Sequence, residues 1–366
     1  MAENFADAKV LFTLPWNSDA ITTVAFIGNG MVAAGNKRGD ILVWNLPAPG
    51  EKTPDPVRRL AGHSNEINRL IVTHDGKTLI SACSDRTVKY WDAVSTAGEP
   101  GKVVLNDGFV RAGVTEKVPK LADLPPPITA NVMVQKPLRE LTAHKDWIWG
   151  LALSRDGKTL LSGDDSGVVI VSEVSTGKEL RRWKVKQWVR SLDLSPDGKT
   201  VVTAEHFPQL NAVDTDVGVR FWDTETGGLK SDASKELKGG MSAVRFSEDG
   251  KQLAVCQGNI DREGPVGKVY LLDPATGKKL REFAPGHDRG AIDLAFHPDG
   301  KHLFSAGRDR LVKAWRLADG THVRDFGQGG KGLTESIYAI SLSPDGKLLA
   351  AADGVGQVVI YSLNPK

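Results

Sequence analysis

The chain has 366 residues, of which 40% are hydrophobic, and it contains 39 glycines, 19 prolines and 2 cysteines. Its formal charge of +2 excludes the strong overall basic excess typical of proteins that bind nucleic acid or anionic membranes. Cys83 and Cys256 stand at unrelated positions, so neither a disulfide framework nor a metal pair is predicted. No window shows helical apolar spacing, which favours a protein made of strands and turns.

A short turn motif, Asp-Gly-Lys, recurs between runs in which apolar and polar residues alternate. Asp and Gly tolerate the positive backbone angles of tight turns, so each copy predicts a β-hairpin. The copies begin at Asp75, Asp156, Asp197, Asp249, Asp299 and Asp345, and Gly28-Asn29-Gly30 takes the same place near the start. The chain is therefore predicted to repeat one unit seven times.

A third strand is predicted after each hairpin, and it ends in an aromatic or apolar residue. These residues are Trp44, Trp91, Val171, Trp222, Leu272, Trp315 and Tyr361. Apart from one longer gap, after Trp91, their spacing is close to the period of about 40 to 45 residues of a propeller blade. A fourth, charged strand suits an exposed outer edge. Its predicted copies are Val10 to Leu14, Val57 to Leu60, Leu138 to Leu141, Leu180 to Val185, Lys235 to Lys238, Leu280 to Phe283 and His322 to Phe326.

The copy from Leu60 to Asp92 has Gly62-His63 before its first strand and Tyr90-Trp91-Asp92 at the end of its third. On these residues the chain resembles the WD40 repeat family over nearly its whole length. The resemblance implies an all-β, seven-bladed propeller with four antiparallel strands in each blade. It also implies buried hydrogen-bonded sets within blades. The matching sets are His63, Ser81, Asp85 and Trp91, and His287, Ser305, Asp309 and Trp315.

Other copies depart from this pattern. The third keeps His144, Ser162 and Asp165 but has Val171 at the Trp position. The first, fourth, fifth and seventh copies lack the His, so apolar packing is expected to hold those blades. The phrase Ser-Pro-Asp-Gly-Lys at 195–199 and 343–347 is similar to bacterial members of the family, so a bacterial-type propeller is expected.

Repeat and blade are offset by one strand in the WD40 family, so the strand at residues 9–14 is expected to complete the last blade and close the ring. One domain is expected over residues 1–366, with an insertion at about 95–137 in the second blade, hanging under it on the lower face. The insertion includes a predicted hairpin from Lys102 that turns at Asn106-Asp107-Gly108, and then Pro125-Pro126-Pro127. It is either an elaboration packed on its own blade or an arm that binds a partner.

The resemblance also indicates which residues point to the upper rim. Two expansions, His206 to Asp214 and Gln257 to Gly267, belong to upper-face loops of neighbouring blades. Exposed Trp residues beside an Arg are typical of binding hot spots, although the same rings could fill gaps between blades. The predicted partner-binding residues are Trp147, Trp149, Trp188, Arg190, Glu66, Asn68 and Tyr338.

No nucleophile elbow, phosphate loop or cysteine metal pattern occurs, and Asp164-Asp165 and Asp214-Thr215-Asp216 are better explained as turn residues than as calcium ligands. The chain is therefore predicted to be a non-catalytic scaffold for a protein or peptide, without metal or cofactor. The alternative is a propeller enzyme or small-ligand-binding protein that uses the central channel, which would need acidic or metal-binding groups converging there.

The first ten residues lack a basic start followed by an apolar run, and no apolar stretch of about 18 residues occurs. A cytoplasmic protein is therefore expected. It is also expected to be a monomer that binds neither nucleic acid nor membrane. A leader removed beforehand would leave the same sequence, and the protein would then be periplasmic or secreted.

Overall fold

The computed structural model describes residues 5–16, 19–106, 127–206, 218–237, 240–258, 267–327 and 333–363. In this part of the chain the regular structure consists of strands β1 to β30 in seven sheets. Six sheets have four strands and one has six. No helix within these ranges is long and apolar enough to cross a membrane. The prediction of an all-β propeller with seven blades is confirmed.

Each of the first six blades runs from an inner to an outer strand. Blade one contains β2 (Ile21–Ile27), β3 (Met31–Asn36), β4 (Ile41–Asn45) and β5 (Arg58–Leu60). Blade two contains β6 (Ile67–Val72), β7 (Thr78–Cys83), β8 (Val88–Asp92) and β11 (Arg139–Leu141). Blade three contains β12 (Ile148–Leu153), β13 (Thr159–Asp164), β14 (Val168–Glu173) and β15 (Glu179–Lys184). Blade four contains β16 (Trp188–Leu194), β17 (Thr200–His206), β18 (Val219–Asp223) and β19 (Leu229–Asp232). Blade five contains β20 (Met241–Phe246), β21 (Leu253–Gln257), β22 (Gly267–Leu272) and β23 (Lys279–His287). Blade six contains β24 (Ala291–Phe296), β25 (His302–Gly307), β26 (Val312–Arg316) and β27 (His322–Phe326).

Blade seven joins the two ends of the described chain. It contains β28 (Ile337–Leu342), β29 (Leu348–Asp353), β30 (Gln357–Ser362) and, as its outer strand, β1 (Lys9–Pro15). Strand β1 lies antiparallel to β30, with Lys9 opposite Ser362 and Pro15 opposite Gln357. The inner strands contact one another in a closed cycle from β2 through β6, β12, β16, β20, β24 and β28 back to β2. The predicted closure of the ring is therefore confirmed.

The Asp-Gly-Lys turns have a common hydrogen-bond pattern, shown here for blade four. Asp197 accepts the backbone N–H of Lys199 at 3.0 Å, and Ser195 Oγ accepts that of Thr200 at 2.9 Å. Gly198 has a φ of 72°, which is the left-handed conformation that glycine adopts without strain. The side chains of Ser and Asp thus fix the turn that sets the register of the first two strands.

Side chains of the inner strands also fasten neighbouring blades together in four seams, because they accept backbone N–H groups from the next blade. Thr23 accepts from Leu70 at 3.0 Å, and Ser341 accepts from Phe26 at 3.2 Å across the closing seam. Three further bonds of this kind join Val244 to Ser191, Phe246 to Asp193 and Ile340 to Asp293. These hydrogen bonds join neighbouring blades in addition to the apolar cores that fill the space between them.

The insertion does not pack where it was predicted. Strands β9 (Glu99–Asn106) and β10 (Ile128–Gln135) form a hairpin, and β10 runs parallel to β5, so the hairpin adds two strands to blade one. The expectation that the insertion hangs under blade two is therefore wrong. The predicted turn at Asn106-Asp107-Gly108 lies mostly outside the described residues. The extent of one domain over residues 1–366 remains a prediction.

A buried arginine explains this displacement. Arg58 on β5 is only 1% exposed and donates from Nη1 to the carbonyl oxygens of Asp92 at 3.1 Å and Ser95 at 2.9 Å. These carbonyls lie where the chain leaves blade two, so the arginine draws the start of the insertion toward blade one. The inner face of the hairpin joins the apolar core at the closing seam, with Val103, Leu105, Ala130 and Val132 in the same cluster as Phe12, Leu14 and Trp16.

Two of the predicted hydrogen-bonded sets have the expected partners. In blade two, His63 contacts Asp85 through Nδ1 and Ser81 through Nε2, both at 2.7 Å, and Trp91 donates to Ser81 Oγ at 2.8 Å. In blade six, His287 contacts Asp309 and Ser305, both at 2.8 Å, and Trp315 donates to Ser305 Oγ at 2.9 Å. Burial lowers the pKa of His63 even though Asp85 is beside it.

The third blade corrects the sequence prediction by one residue. His144 contacts Asp164 at 2.7 Å rather than Asp165, and its other ring nitrogen contacts Ser162 Oγ at 2.7 Å. Asp164 ends β13, and its second oxygen accepts the N–H groups of Ser166 and Val168 in the following turn. Asp165 is consequently left for another role at the upper face.

Blade four departs from the prediction twice. Its outer strand is Leu229–Asp232, not Lys235 to Lys238, because Asp223 accepts the N–H of Thr226 at 2.9 Å and turns the chain back at once. The blade also contains a buried ion pair, so apolar packing alone does not hold it. Arg220 contacts both Glu205 and Asp232, and Trp222 donates to Thr203 Oγ1 at 2.9 Å. Burial raises the pKa of Glu205 to about 7 despite the charge of Arg220.

Candidate functional site

The inner strands surround a cavity of about 270 Å³ at one end of the channel. Lys37, Gly258 and Arg308 follow second strands of their blades, so the cavity opens on the face predicted to be the upper one. All seven blades contribute side chains to its wall. The lining residues are Thr22, Lys37, Glu66, Asn68, Arg69, Trp149, Gly150, Leu151, Arg190, Ser191, Ser242, Ala243, Arg245, Gly258, Ile292, Asp293, Arg308 and Tyr338.

Five of the seven predicted partner-binding residues line this cavity, and they are Glu66, Asn68, Trp149, Arg190 and Tyr338. Trp147, which is 47% exposed, and Trp188, which is half-buried, are not among its lining residues. The three tryptophans therefore do not share this one cavity. The two predicted loop expansions lie largely outside the described residues. A binding role for any of these residues remains a prediction.

A repeated β-bulge explains why one residue of each inner strand reaches the cavity. The pairing register between first and second strands shifts at the same point in every blade, between Ile21 and Thr23 in the first. A bulge leaves one residue unpaired and redirects its side chain, here toward the channel. The bulge residues of the seven blades are Thr22, Asn68, Trp149, Arg190, Ser242, Ile292 and Tyr338.

Three bulge residues are used mainly by the fold. Thr22 donates to the carbonyl oxygen of Ile67, Asn68 to that of Ile148 at 2.8 Å, and Ser242 to that of Ala291 at 2.6 Å. Each of these bonds crosses to the next blade, so the Asn68 amide helps to hold the wall. The other four bulge residues, Trp149, Arg190, Ile292 and Tyr338, give the cavity its large aromatic, apolar and cationic surfaces.

A second ring of residues was missed at the sequence level. In five of the described blades the residue after the second strand donates its N–H to the residue just before the first strand, as Lys37 does to Ala20 and Arg308 does to Gly290. Ser84, Asp165 and Gly354 occupy the same place in their blades. Aligning the copies on their turns would have found this position, because its register is constant. It adds two cations, Lys37 and Arg308, to the mouth of the cavity.

The wall between blades three and four contains a stacked cation. The guanidinium carbon of Arg190 lies 3.5 Å from the centroid of the Trp149 ring, and Trp149 donates from Nε1 to Asp165 Oδ2 at 3.0 Å. Asp165 is 6% exposed, and its Oδ1 has no hydrogen-bond partner among the described residues. Burial raises the pKa of Asp165 to about 6, although Arg190 and the Trp149 hydrogen bond oppose this shift.

We expect Asp165 to stabilise the folded protein more at low pH than at neutral pH. Its pKa is higher in the folded than in the unfolded chain, so this carboxyl favours folding most below about pH 4 and loses that contribution as pH rises through about 6. The difference in unfolding free energy between wild type and Asp165→Asn should change by about 2 kcal/mol between pH 4 and pH 7. Urea unfolding of both proteins at each pH measures it, and a constant difference would contradict the assignment.

The floor of the cavity is an ionic brace across the channel. Asp293 Oδ1 accepts from Arg69 Nη1 and from Arg245 Nη2, each at 3.0 Å, and Asp293 Oδ2 accepts the N–H of Ile340 at 3.1 Å. The three charged residues belong to blades two, six and five. The brace therefore closes the cavity from below and converts the end of the channel into a cup.

Two clusters have the side chains that bind metals, but hydrogen bonds within the fold account for both. His63 and Asp85 belong to the set of blade two, beside Cys83. His302 contacts Asp299 at 2.6 Å, and His297 contacts the carbonyl oxygen of Gly346 at 2.9 Å. Phe5 packs against the ring of His302, with centroids 4.9 Å apart. We assign this second cluster to the docking of the N-terminal segment.

Two sequence-family models match parts of the chain. WD domain, G-beta repeat, matches residues 54–92 and 277–316, which cover blades two and six in part, and Outer membrane protein assembly factor BamB matches residues 135–295. The WD40 matches include His63 and His287, whose hydrogen-bonded sets are described above. The chain is a seven-bladed β-propeller with two matches to the WD40 repeat. Its remaining blades keep the strand order of the repeat while replacing parts of the polar set.

Known WD40-repeat proteins resemble this propeller over most of its length. WD repeat-containing protein 1 of Gallus gallus is 27% identical over 74% of this chain and 42% of its own. Apoptotic protease-activating factor 1 of Rattus norvegicus is 26% identical over 91% of this chain and 22% of its own. Echinoderm microtubule-associated protein-like 4 of Mus musculus is 25% identical over 82% and 30%.

The matched region spans less than half the length of each of these relatives. The likeness therefore concerns the propeller and does not extend to the other parts of the longer proteins. All three are animal proteins, so they do not bear out the expectation of a bacterial-type propeller.

Proposed function

We propose that this propeller is a non-catalytic interaction module that holds a segment of a partner protein over the cavity on its upper face. The observation that carries the proposal is the ring of bulge residues, four of which present large side chains to one cup. Trp and Tyr rings beside arginine are the side chains that contribute most to binding free energy at protein interfaces. The WD40-repeat relatives support the same class of function.

The second candidate is a small molecule bound in the same cup. Glu66 is the one acidic residue among the predicted rim residues that could contact such a ligand. The structure adds the charged side chains of the brace, which are Arg69, Arg245 and Asp293. A cup with a few convergent polar groups is the usual form of a small-ligand site. Both candidates use the same cavity, and they differ in how much of the rim the ligand contacts.

Replacing Trp149 with Ala should weaken capture of bound proteins from an extract of the source cells by about thirtyfold, since truncating a hot-spot aromatic costs about 2 kcal/mol. Trp147→Ala is the matched control, because Trp147 is exposed outside the cavity. Its captured proteins should equal those of the wild type. Quantitative mass spectrometry of the captured proteins measures both variants.

Circular dichroism melting should accompany the capture, since Trp149 also donates a hydrogen bond to Asp165. A folded Trp149→Ala protein that retains every partner would contradict the proposal. A loss confined to Trp147→Ala would move the binding surface from the cavity to the exposed tryptophan.

A further inference from the structure

We propose that the group which enters the cup is a carboxylate, presented by an acidic side chain of the partner segment. This inference rests on the proposed function, because it names the chemistry recognised at the same site. The described residues that line the cup include five cations, Lys37, Arg69, Arg190, Arg245 and Arg308, and two carboxylates, Glu66 and Asp293. The surplus of positive charge is concentrated in a cavity in a chain that is almost neutral overall.

The floor still has donors to offer. Arg69 uses Nη1 for Asp293, and its Nε and Nη2 have no partner within the described ranges. Its side chain is half-buried, which leaves these donors facing the cup rather than bulk water. The fork of an arginine matches the two oxygens of a carboxylate, and such charge-assisted hydrogen bonds are about twice as strong as neutral ones.

The rim supplies a second cation from the neighbouring blade, blade one. Lys37 is exposed, and its Nζ lies 5.7 Å from the centroid of the Tyr338 ring. A contact of this length with an aromatic ring is weak at an exposed site, so it leaves the ammonium group able to pair with an incoming anion. Trp149, Ile292 and Tyr338 then offer apolar surface to the chain on either side of the acidic residue.

The charge balance favours a single negative charge over two. Asp165 stands behind Trp149, and Asp193 lies beside the floor, where it accepts the N–H of Phe246 at 2.7 Å. With these two acids included, the five cations face four carboxylates. A carboxylate monoanion matches that small surplus, whereas a phosphate dianion would be repelled by Glu66 and Asp293 in the same cavity.

Isothermal titration calorimetry with two isosteric probes tests the proposal. N-acetyl-L-glutamate N-methylamide carries the carboxylate in a peptide setting, and N-acetyl-L-glutamine N-methylamide has the same shape without the charge. The wild type should bind the glutamate probe at least about tenfold more tightly than the glutamine probe. Inorganic phosphate, the dianion, should bind more weakly than the glutamate probe.

Two variants locate the binding. Arg69→Gln and Lys37→Gln should each weaken binding of the glutamate probe by about fivefold or more, and Lys37→Gln guards against a folding defect because Lys37 is exposed. Arg155→Gln is the control, since Arg155 is exposed in the turn between β12 and β13, away from the cup. Equal affinity for both probes, tighter binding of phosphate, or wild-type affinity in both variants would overturn the proposal.

Glutarate separates the two sources of a carboxylate. Weaker binding of glutarate than of the glutamate probe supports an acidic residue in a partner segment. Tighter binding of glutarate supports recognition of a carboxylate but overturns the partner segment as its source. Two results together would separate this inference from the proposed function. If Trp149→Ala loses partner capture while the wild type binds the glutamate and glutamine probes equally, recognition of a carboxylate is wrong. The proposed binding of a partner segment would then still stand.

Discussion

A chain that begins at Asp19 should lose most of its thermal stability. This truncation removes β1, whose Phe12 and Leu14 are buried with Trp16 in the core that joins blade seven to blade one. Each large apolar side chain that leaves such a core costs about 1.5 to 3 kcal/mol, so the total approaches the entire stability of an ordinary domain. It also exposes the edge of β30 and the inner face of the β9–β10 hairpin. Differential scanning calorimetry measures the change, and an unaltered melting temperature would refute closure of the ring by β1.

Two point substitutions within β1 test whether its buried side chains stabilise the closing seam, without removing the strand. Leu14→Ala should cost about 2 to 5 kcal/mol, because Leu14 is fully buried. Lys9→Ala is the matched control, since Lys9 belongs to the same strand and its side chain is exposed. Similar losses in both variants would mean that the effect is not one of core packing.

Arg220→Met should destabilise the protein by about 3 to 5 kcal/mol at pH 8, because it leaves Glu205 buried without its cation. Protonation removes that charge, and burial already raises the pKa of Glu205 to about 7 in the wild type. Loss of Arg220 raises this pKa further, so the deficit should shrink as pH falls from 8 to 5. Urea unfolding across this range measures the trend.

The double variant Glu205→Gln with Arg220→Met is the control. It removes both charges, so it should lose less stability than Arg220→Met alone and should show a weaker dependence on pH. A single variant as stable at pH 8 as at pH 5 would mean that Glu205 reaches solvent or another cation when Arg220 is absent.

Much of the fold was predictable because the information is local. Asp197 and Gly198 determine a turn from neighbouring residues only, and the same turn recurs with nearly constant spacing. The closing strand at residues 9–14 was predictable for a different reason, since the resemblance to WD40 repeats supplied the offset between repeat and blade.

The errors arose where distant residues decide. The hairpin of the insertion pairs with blade one because Arg58 contacts carbonyl oxygens beyond Asp92, and nothing near residues 95–106 indicates that contact. In blade three, Asp164 and Asp165 are adjacent carboxylates, and only the strand register shows which of them faces His144. The alternation of apolar and polar residues along the strand could not show whether Asp164 or Asp165 ends it.

The candidate site was predictable in part. Trp149, Arg190 and Tyr338 were identified from their place in the inner strands, whereas Lys37 and Arg308 follow second strands and were missed. The brace of Arg69, Arg245 and Asp293 joins three blades, so its members are far apart in the sequence. Spacing within one repeat contains no information about contacts across the channel.

The bonds that inner-strand side chains make to neighbouring backbones have a common direction. In four seams they run from a side chain of one blade to the backbone of the blade that follows, including Ser341 to Phe26 across the closing seam. A backbone group is present whatever residue the following repeat carries at that position. Each repeat can therefore change its own side chains without breaking the attachment made to it. This tolerance explains how seven copies can diverge as far as blades two and four while remaining parts of one ring.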